Sequence, residues 1–286
     1  METTPQRART SGPPIVKADG TIEAFSAERL RTSLLRAGAL PSSADEITDR
    51  VSRSVVPNAS SKEIYRRAFT LLRQDARPVA ARYALRRALL EFGPSGHPFE
   101  DFISRLYAAE GWQVETRKII QGKCVSHEVD FYASKEGAFM AAELKYHNDP
   151  GYKSDLKTAL YVKSRFDDIF NCDPETRACP IDRGILITNT KFTSEAIKYA
   201  ECSGVELLGW SYPQGASLFD RMSAAHVYPV TTLTTLQMSE KKLLIADGIV
   251  AVDQVLERKD ALRQIRIEPE RVGRILAEAD ALHALH

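Results

Sequence analysis

Residues 127–147, HEVDFYASKEGAFMAAELKYH, decide the fold of the middle of the chain, because they alternate apolar and charged residues around a central Glu136–Gly137 pair. Glycine readily adopts the positive φ that a tight hairpin turn needs, so the stretch predicts two antiparallel strands joined by a two-residue turn. If the hairpin is symmetric about that pair, Asp130 lies directly opposite Glu143. The sequence therefore predicts two carboxylates side by side on neighbouring strands.

The same symmetry places Glu128 opposite Lys145. Successive side chains of a strand point to opposite faces of a sheet, so these two residues share one face with Asp130 and Glu143. The other face receives four apolar or aromatic residues: Val129, Phe131, Leu144 and Tyr146. The pattern predicts one packed face and one charged face for this hairpin.

Asp130 and Glu143 form a candidate metal centre. Two carboxylates whose Cβ atoms are ~5 Å apart repel each other unless a proton or a cation lies between them. Mg²⁺ takes oxygen ligands from one or two carboxylates and can polarise a phosphodiester and lower the pKa of bound water. Lys145, on the same face, could orient the attacking water or neutralise the charge that develops on the phosphate. These residue types in this arrangement are typical of a phosphodiesterase.

A surface ladder of ion pairs is the alternative interpretation of the same residues. An exposed Glu128–Lys145 pair would contribute only a fraction of a kcal/mol. The sequence AAELKYH (141–147) nevertheless places the charges at the end of an alanine-rich strand, where an unpaired buried charge would be costly. This setting favours a catalytic centre over a surface ladder.

The composition excludes several classes of protein. The 286 residues are 43% hydrophobic and 27% charged, which is ordinary for a globular protein of two or three domains. A formal net charge of +1 means that any nucleic-acid site must be local. The sequence has no apolar run long enough to span a membrane and no signal peptide at its N-terminus. The four scattered cysteines predict reduced thiols of a cytoplasmic protein, not a structural zinc site.

Three segments follow a short tail, residues 1–14, that we expect to be disordered. The first, 15–93, begins with a hairpin around Asp19–Gly20, and four helices are predicted to follow it at 26–39, 43–55, 61–74 and 78–92. Ser26 is the expected N-cap of the first helix, and Ser60 or Ser61 that of the third. The loop 93–96, GPSG, is the expected domain boundary.

The second segment, 97–212, alternates helical and strand patterns. Amphipathic helices are predicted at 99–112, 154–170 and 193–203, and strands at 112–120, 127–147, 183–190 and 205–211. Such an alternation predicts an α/β domain with a mixed sheet covered by helices. The third segment, 218–286, is predicted to be helical, with a turn at Asp247–Gly248. The chain is therefore expected to be a multidomain α/β protein.

The middle segment resembles the Mrr-type restriction endonuclease domain of the PD-(D/E)xK nuclease superfamily. The matching residues are Phe99 and Glu100 in the first helix, Asp130, Glu143 and Lys145 in the hairpin, GILITN (184–189) in a strand and FTSEA (192–196) in the next helix. The resemblance implies that Asp130 and Glu143 bind Mg²⁺ or Mn²⁺ and that Lys145 assists at the phosphate. It also implies that Glu100 completes the catalytic group.

A stripe on the helix after the hairpin is a candidate DNA contact. Lys157, Tyr161 and Arg165 recur every four residues and so lie along one face of that helix. They could hold a phosphate backbone near the carboxylates. The alternative is an ordinary solvated face with Tyr161 half buried.

The first segment resembles the ATP-cone, a small nucleotide-sensing domain that is mostly helical with an N-terminal β-hairpin. The match runs through IVKADGTIEAFSAERL (15–30) and includes AARYALRR (80–87). The resemblance implies that ATP or dATP binds at Lys17 and Arg29 through its phosphates and at Ile22, Glu23, Ser26 and Ser61 through its nucleoside. The segment carries fourteen Lys and Arg against nine Asp and Glu, which suits an anionic ligand. A helical DNA-contacting or docking domain is the alternative.

The third segment, through LLIADGIVAV (243–252), resembles a helix-hairpin-helix, whose turn amides and helix N-terminus bind a phosphate. The alternative is two amphipathic helices that simply pack around a glycine turn. A DNA-binding or oligomerising role is expected for this segment.

Together these patterns predict a cytoplasmic, Mg²⁺-dependent DNA endonuclease of restriction or defence type, regulated by an adenine nucleotide. Its partners would be DNA, a nucleotide and further copies of itself, with no membrane. Cleavage would be in-line attack of water on a phosphodiester bond. The alternative is a nucleotide-responsive DNA-binding regulator, or a scaffold, whose nuclease-like domain is inactive.

Overall fold

The computed structural model of the protein describes residues 12–172 and 181–284. The chain divides into two packed units, of which the first ends at Tyr83 and the second begins at Ala84. Most of the predicted tail lies outside the described residues, and Pro14 already belongs to the first strand. Cys179 also lies outside them, whereas Cys124, Cys172 and Cys202 are free thiols.

The first unit is a small three-stranded sheet with four helices. The sheet order is β2-β1-β3, with β1 antiparallel to β2 and parallel to β3. The elements in chain order are β1 (Pro14–Val16), β2 (Ile22–Ala24), α1 (Ala27–Arg36), α2 (Pro41–Ser52), β3 (Ala59–Ser60), α3 (Ser61–Asp75) and α4 (Arg77–Tyr83). The predicted hairpin around Asp19–Gly20 is confirmed, and the short strand β3 was not predicted.

Side-chain caps and a small apolar core hold these elements. Ser26 caps α1 by accepting a hydrogen bond from the Arg29 amide, as predicted, and Ser60 caps α3 by accepting one from the Glu63 amide. Of the two serines proposed for the second cap, the structure selects Ser60. The core comprises fully buried residues from all four helices, among them Leu34, Ala44, Ala68, Leu72 and Ala80.

The second unit is a five-stranded mixed sheet with helices around it. The sheet order is β10-β8-β6-β5-β4. The strand β5 pairs antiparallel with both β4 and β6, whereas β8 pairs parallel with both β6 and β10. The elements that build the sheet and its helices are α5 (Leu85–Leu90), α6 (His97–Ala109), β4 (Gln113–Gln121), β5 (Ser126–Lys135), β6 (Ala138–Lys145), β7 (Lys153–Ser154), α7 (Leu156–Phe170), β8 (Arg183–Thr188), β9 (Lys191–Phe192), α8 (Ser194–Ser203) and β10 (Glu206–Leu208). The protein is therefore a multidomain α/β protein with a mixed sheet, as expected.

Helices pack on both faces of this sheet. On one face α6 contributes Phe99 and Tyr107, whose rings lie 5.6 Å from Tyr146 and 4.9 Å from Phe131. On the other face α7 and α8 form a continuous core with β6 and β8, which includes Ala141, Ala159, Val162, Phe166, Leu186 and Ala196. Because both faces are covered, the central strands β6 and β8 are almost wholly apolar.

The C-terminal helices belong to the same unit as the sheet. They are α9 (Leu218–Ala224), a 3-10 helix (Val230–Thr232), α10 (Met238–Ala246), α11 (Val252–Glu257), α12 (Asp260–Gln264) and α13 (Pro269–His283). Two ion pairs tie them to α6: Arg105 to Asp253 at 2.8 Å, and Arg221 to Glu110 at 2.8 Å between Nε and Oε1. Residues 97–212 and 218–286, which were predicted as separate domains, lie in one packed unit, and these ion pairs are among the contacts that join them.

The helix predicted at 78–92 is divided between the two units. It breaks at Ala84 into α4 and α5. The Tyr146 hydroxyl donates to the Leu89 and Leu90 carbonyls at 3.2 and 3.1 Å, which joins α5 to the end of β6. The division between units therefore falls before α5 and not at the predicted loop 93–96. Among the described residues, no helix is both long enough and apolar enough to cross a bilayer.

Gly184 in β8 gives a first test of the packing between sheet and α7. A Cβ at this position would lie 2.3 Å from Cδ2 of Phe166, a rigid and almost fully buried ring. We expect Gly184→Ala to lower the free energy of unfolding by about 1–3 kcal/mol through overpacking, measured by urea denaturation. Gly273→Ala in α13 is the control, since that position has open space and alanine should stabilise the helix by about 0.5–1 kcal/mol. Equal stability of the Gly184→Ala variant and the wild type would contradict the described contact.

Candidate active site

The hairpin of β5 and β6 has the register that its sequence predicts. The pairs run from Phe131–Ala142 at one end to Lys135–Ala138 beside the turn. Continuing this register by one residue brings Asp130 opposite Glu143, on the face covered by α7. Glu143 is only 4% exposed, so its carboxylate lies inside the protein and not on a surface ladder. The structure therefore brings the two predicted carboxylates together.

The protonation behaviour of Asp130 follows from its surroundings. Its pKa is raised from 3.8 to about 6. Burial is the largest cause of this rise, and the Glu143 carboxylate is the second. The Leu144 amide donates a hydrogen bond to Asp130 and lowers the pKa, whereas the charge of Glu100 raises it. Glu100, from the first turn of α6, therefore belongs to the same acidic cluster as Asp130 and Glu143.

Cations from two elements already neutralise Glu143. Lys145 donates to its Oε1 at 2.6 Å along the same strand. Arg165 of α7 donates to Oε2 and also to the main-chain carbonyl of Glu128. The cross-strand pair between Glu128 and Lys145 that a surface ladder would require is replaced by the Lys145–Glu143 pair.

The predicted DNA-binding stripe on α7 is divided by these contacts. Lys157 is exposed and Tyr161 is 57% exposed, so both can meet a ligand from solvent. The Arg165 side chain is only 16% exposed and extends to Glu143. Its guanidinium carbon lies 5.7 Å from the centroid of the Tyr161 ring. Of the three residues of the predicted stripe, Lys157 and Tyr161 are therefore exposed, whereas the Arg165 guanidinium is bound to the Glu143 carboxylate beneath α7.

The ends of β6 and β8 carry polar residues that hold Lys145 in place, which sequence reasoning missed. The Thr188 hydroxyl donates to the Lys145 carbonyl at 2.8 Å. The fully buried Asn189 amide both accepts from the His147 amide at 2.9 Å and donates to its carbonyl at 2.8 Å. The polar ITNT (187–190) that ends an otherwise apolar strand was the available signal. These bonds fix the backbone on both sides of Tyr146.

The carboxylates have the donor chemistry of a magnesium site. Mg²⁺ needs only one or two carboxylates, with water completing its shell, and Asp130 with Glu143 supplies two. Burial is the largest cause of the raised pKa of Asp130, and the Glu143 carboxylate is the next; a divalent cation would relieve the repulsion between the two carboxylates. Within residues 12–172 and 181–284 no group of three or more His, Cys, Asp or Glu is arranged to hold a metal ion. Any cation here would therefore depend on the two-carboxylate arrangement.

In the first unit, three of the predicted nucleotide-binding residues meet at one carboxylate. Lys17 and Arg29 both contact Oε1 of Glu23, at 3.1 and 3.0 Å. The hydrogen bond from Lys17 is the largest cause that lowers the pKa of Glu23. The structure thus joins two cations from separate elements, although it directs both to a carboxylate of the protein.

The other three nucleotide-binding candidates, Ile22, Ser26 and Ser61, lie at the two ends of the small sheet. Ile22 pairs with Val16 at the edge of the sheet and is 66% exposed. Ser61 is the first residue of α3 and follows Ser60, which is the residue paired with Val16 on the other side. Ser26 is occupied in capping α1 at the opposite end of β2. Ile22 and Ser61 therefore flank one end of β1, and Ser26 lies beyond the other end.

The turn between α10 and α11 has no free amide to offer a phosphate within its described residues. Gln254 Oε1 accepts from the amides of Val250 and Ala251 at 2.9 and 3.0 Å. The amides of Gly248, Ile249 and Val252 bond to main-chain carbonyls of the protein. This geometry favours packing over phosphate binding at the predicted helix-hairpin-helix.

A two-unit α/β protein with a cluster of carboxylates on its mixed sheet is the class that the fold and the site define. A family described as AF1548-like, C-terminal, matches residues 228–283. The chain is 33% identical over 177 residues to an uncharacterized protein of Archaeoglobus fulgidus, which covers 62% of this chain and 97% of that protein. The crystal structure of the protein of unknown function AF1548 matches with a TM-score of 0.53 and 30% identity, over 66% of this chain and 98% of that one. The chain belongs to the AF1548-like family.

Proposed function

We propose that the protein is a Mg²⁺-dependent DNA endonuclease of restriction type whose activity responds to ATP or dATP. The observation that carries the proposal is the cluster of Asp130, Glu143 and Lys145 on β5 and β6, with Glu100 close enough to raise the pKa of Asp130. Buried carboxylates that repel one another are costly unless a cation compensates them. This combination supports the PD-(D/E)xK resemblance of residues 97–212.

Each side chain has a distinct role in the proposed reaction. Asp130 and Glu143 would hold the cation, Mg²⁺ or Mn²⁺, which supplies Lewis acidity toward the phosphodiester. The Lys145 ammonium is fixed by Glu143 and could stabilise the charge of the phosphate or orient water for in-line attack. Glu100 approaches from α6 and could bind a water molecule of the cation's shell. The exposed Lys157 and Tyr161 would contact the DNA backbone.

The nucleotide would bind within residues 15–93, which resemble the ATP-cone, at side chains of the first unit. Lys17 and Arg29 already converge on one anionic group, Glu23, and a phosphate could take the place of that carboxylate. Ile22 and Ser61 lie around the same end of the small sheet and would meet the nucleoside. Nucleotide binding would therefore release Glu23 from Lys17 and Arg29, and this local change would be the signal that alters the activity of the protein.

Lys17→Ala tests the nucleotide site. We expect the Kd for ATP or dATP to rise about tenfold or more, because a hydrogen bond to a charged group contributes about 1.5–3 kcal/mol. Isothermal titration calorimetry on the full chain measures it. Arg50→Ala, at a side chain 56% exposed in the same unit, is the matched control and should leave the Kd unchanged. If both variants bind nucleotide like the wild type, Lys17 does not contact the phosphates.

The second candidate function is a nucleotide-responsive DNA-binding regulator, or a scaffold, with an inactive nuclease-like domain. The contact of Arg165 with Glu143 favours it, because a guanidinium already occupies the oxygen that a cation would need. Under either function we expect DNA and an adenine nucleotide as ligands, a homo-oligomer as the working form and a cytoplasmic location.

A plasmid cleavage assay decides between the two functions. Supercoiled plasmid is incubated with the full chain and Mg²⁺, with ATP, with dATP and without nucleotide. Nicking that depends on Mg²⁺ and changes with nucleotide is the result expected of the endonuclease. DNA retention without nicking under every condition would leave only the regulator. A nucleotide-dependent change in size without DNA affinity would indicate the scaffold.

A further inference from the structure

Arg117 has an unusual backbone in the middle of a strand. Its φ is +52°, in the left-handed region that non-glycine residues seldom adopt. The pairs on either side of it, Thr116–Phe131 and Lys118–Val129, keep one register, so Arg117 lies opposite Asp130 although the two do not pair. The strand β4 is continuous, but its pairing with β5 is interrupted at the position that faces the candidate metal ligand. Sparsely populated conformations of this kind cluster at functional sites.

The guanidinium of Arg117 lies beside the acidic cluster. Its two terminal nitrogens contact Glu100 Oε2 at 3.2 Å and Asp101 Oδ1 at 3.4 Å. A Cβ on Gly96 would lie 3.5 Å from Glu100 Oε1 and 3.9 Å from the Cβ of Tyr146. The carboxylate that Arg117 contacts is therefore close to the end of β6, where Lys145 lies.

The contacts of Arg117 are of a kind that a ligand can replace. Both are longer than an ideal charge-assisted hydrogen bond, and the side chain is 43% exposed. The other two cations of the cluster, Lys145 and Arg165, contact Glu143 at shorter distances and are less exposed. A planar guanidinium with several donors suits the oxygens of a phosphate better than two separate carboxylates. Arg117 is thus the cation of the cluster that is most accessible to an anion from solvent.

We propose that Arg117 is a substrate-positioning residue that binds a phosphate group of DNA next to the Asp130–Glu143 centre and is held in place by Glu100 until DNA arrives. This inference rests on the proposed nuclease function and names the residue that aligns its substrate. Arg117 combines a left-handed backbone with a guanidinium in contact with Glu100, and the exposed side of that guanidinium is left for the phosphate.

Arg117→Asn tests the proposal, because asparagine tolerates a positive φ but carries no charge. Binding of a short fluorescent DNA duplex is measured with the full chain by anisotropy, with Ca²⁺ in place of Mg²⁺ and with cleavage checked to be absent. We expect the Kd to rise about tenfold and the dependence of binding on salt to fall by about one released counterion. Lys123→Asn, at an exposed cation in the turn between β4 and β5, is the matched control and should leave both unchanged.

Thermal unfolding separates a binding role from a structural one. If Arg117 serves only to tie β4 to α6, Arg117→Asn should lower the Tm and leave the DNA affinity unchanged, which would overturn the proposal. We expect an unchanged or higher Tm, because asparagine and glycine suit this φ better than arginine. Wild-type cleavage with unaltered DNA affinity in the variant would reject the inference and keep the nuclease. Weaker DNA binding by the variant, with no cleavage by the wild type, would reject the nuclease and keep the phosphate contact.

Discussion

Asp130→Ala and Lys145→Ala should each reduce Mg²⁺-dependent nicking of plasmid by about a hundredfold to a thousandfold or more. The two substitutions remove a ligand of the cation and the ammonium beside the phosphate, and loss of a single preorganised charge-stabilising group commonly has an effect of this size. Lys145 is held by Glu143 at 2.6 Å and by the Thr188 bond to its carbonyl, so its position in the cluster is well defined. Initial rates of conversion from supercoiled to nicked plasmid give the measurement.

Both variants should still retain DNA in a filter-binding assay, because Arg117, Lys157 and Tyr161, the proposed DNA contacts outside the catalytic group, are unchanged. Lys123→Asn is again the control, with the same charge change as Lys145→Ala, and should cleave like the wild type. Nicking that survives in Asp130→Ala would place the catalytic centre elsewhere or assign the activity to a contaminant.

Arg165→Gln adds a direct test of the second candidate function. If Arg165 blocks the cation, its removal should raise the apparent affinity for Mg²⁺.

Asp130→Asn should stabilise the protein by up to about 3 kcal/mol at pH 8. The pKa of Asp130 is raised from 3.8 to about 6, so the folded state binds this proton more tightly than the unfolded state does. The ionised carboxylate therefore destabilises the fold, and the wild type loses stability as the pH rises from about 4 to above 6. Each pKa unit corresponds to about 1.4 kcal/mol, which sets the upper bound.

Urea denaturation at a series of pH values measures this effect. The difference between Asp130→Asn and the wild type should be largest above pH 6 and should vanish below about pH 4, where both side chains are neutral. Mg²⁺ should reduce the difference at pH 8, because a cation that binds only the folded wild type stabilises it, by an amount that grows with the logarithm of the Mg²⁺ concentration above its Kd. Asp260→Asn is the control, at a side chain 83% exposed, and should leave the free energy of unfolding close to that of the wild type. A constant difference at all pH values would mean that Asp130 does not carry the raised pKa.

Much of the local structure could be predicted from the sequence, because it depends on short-range chemistry. The register of the hairpin followed from one glycine turn and from alternation along each strand. The cap of α1 followed from a serine before an amphipathic stretch. The helix predicted at 78–92 failed at Ala84, because the residues after it bond to β6 and to the helix 230–232, which are distant in sequence. Helical periodicity continues through the break and gives no sign of it.

The sequence by itself determined which residues are placed together along one strand or one turn: Asp130 opposite Glu143, with Lys145 on the same face. Only the tertiary structure decided which cations meet those carboxylates. Arg165 belongs to a helical stripe that looked solvated, and Arg117 to a strand with no recognisable motif, yet both reach the acidic cluster. The physical reason is that a buried carboxylate draws whichever cation the packing brings within reach, and packing joins residues whose separation in the chain carries no periodic signal.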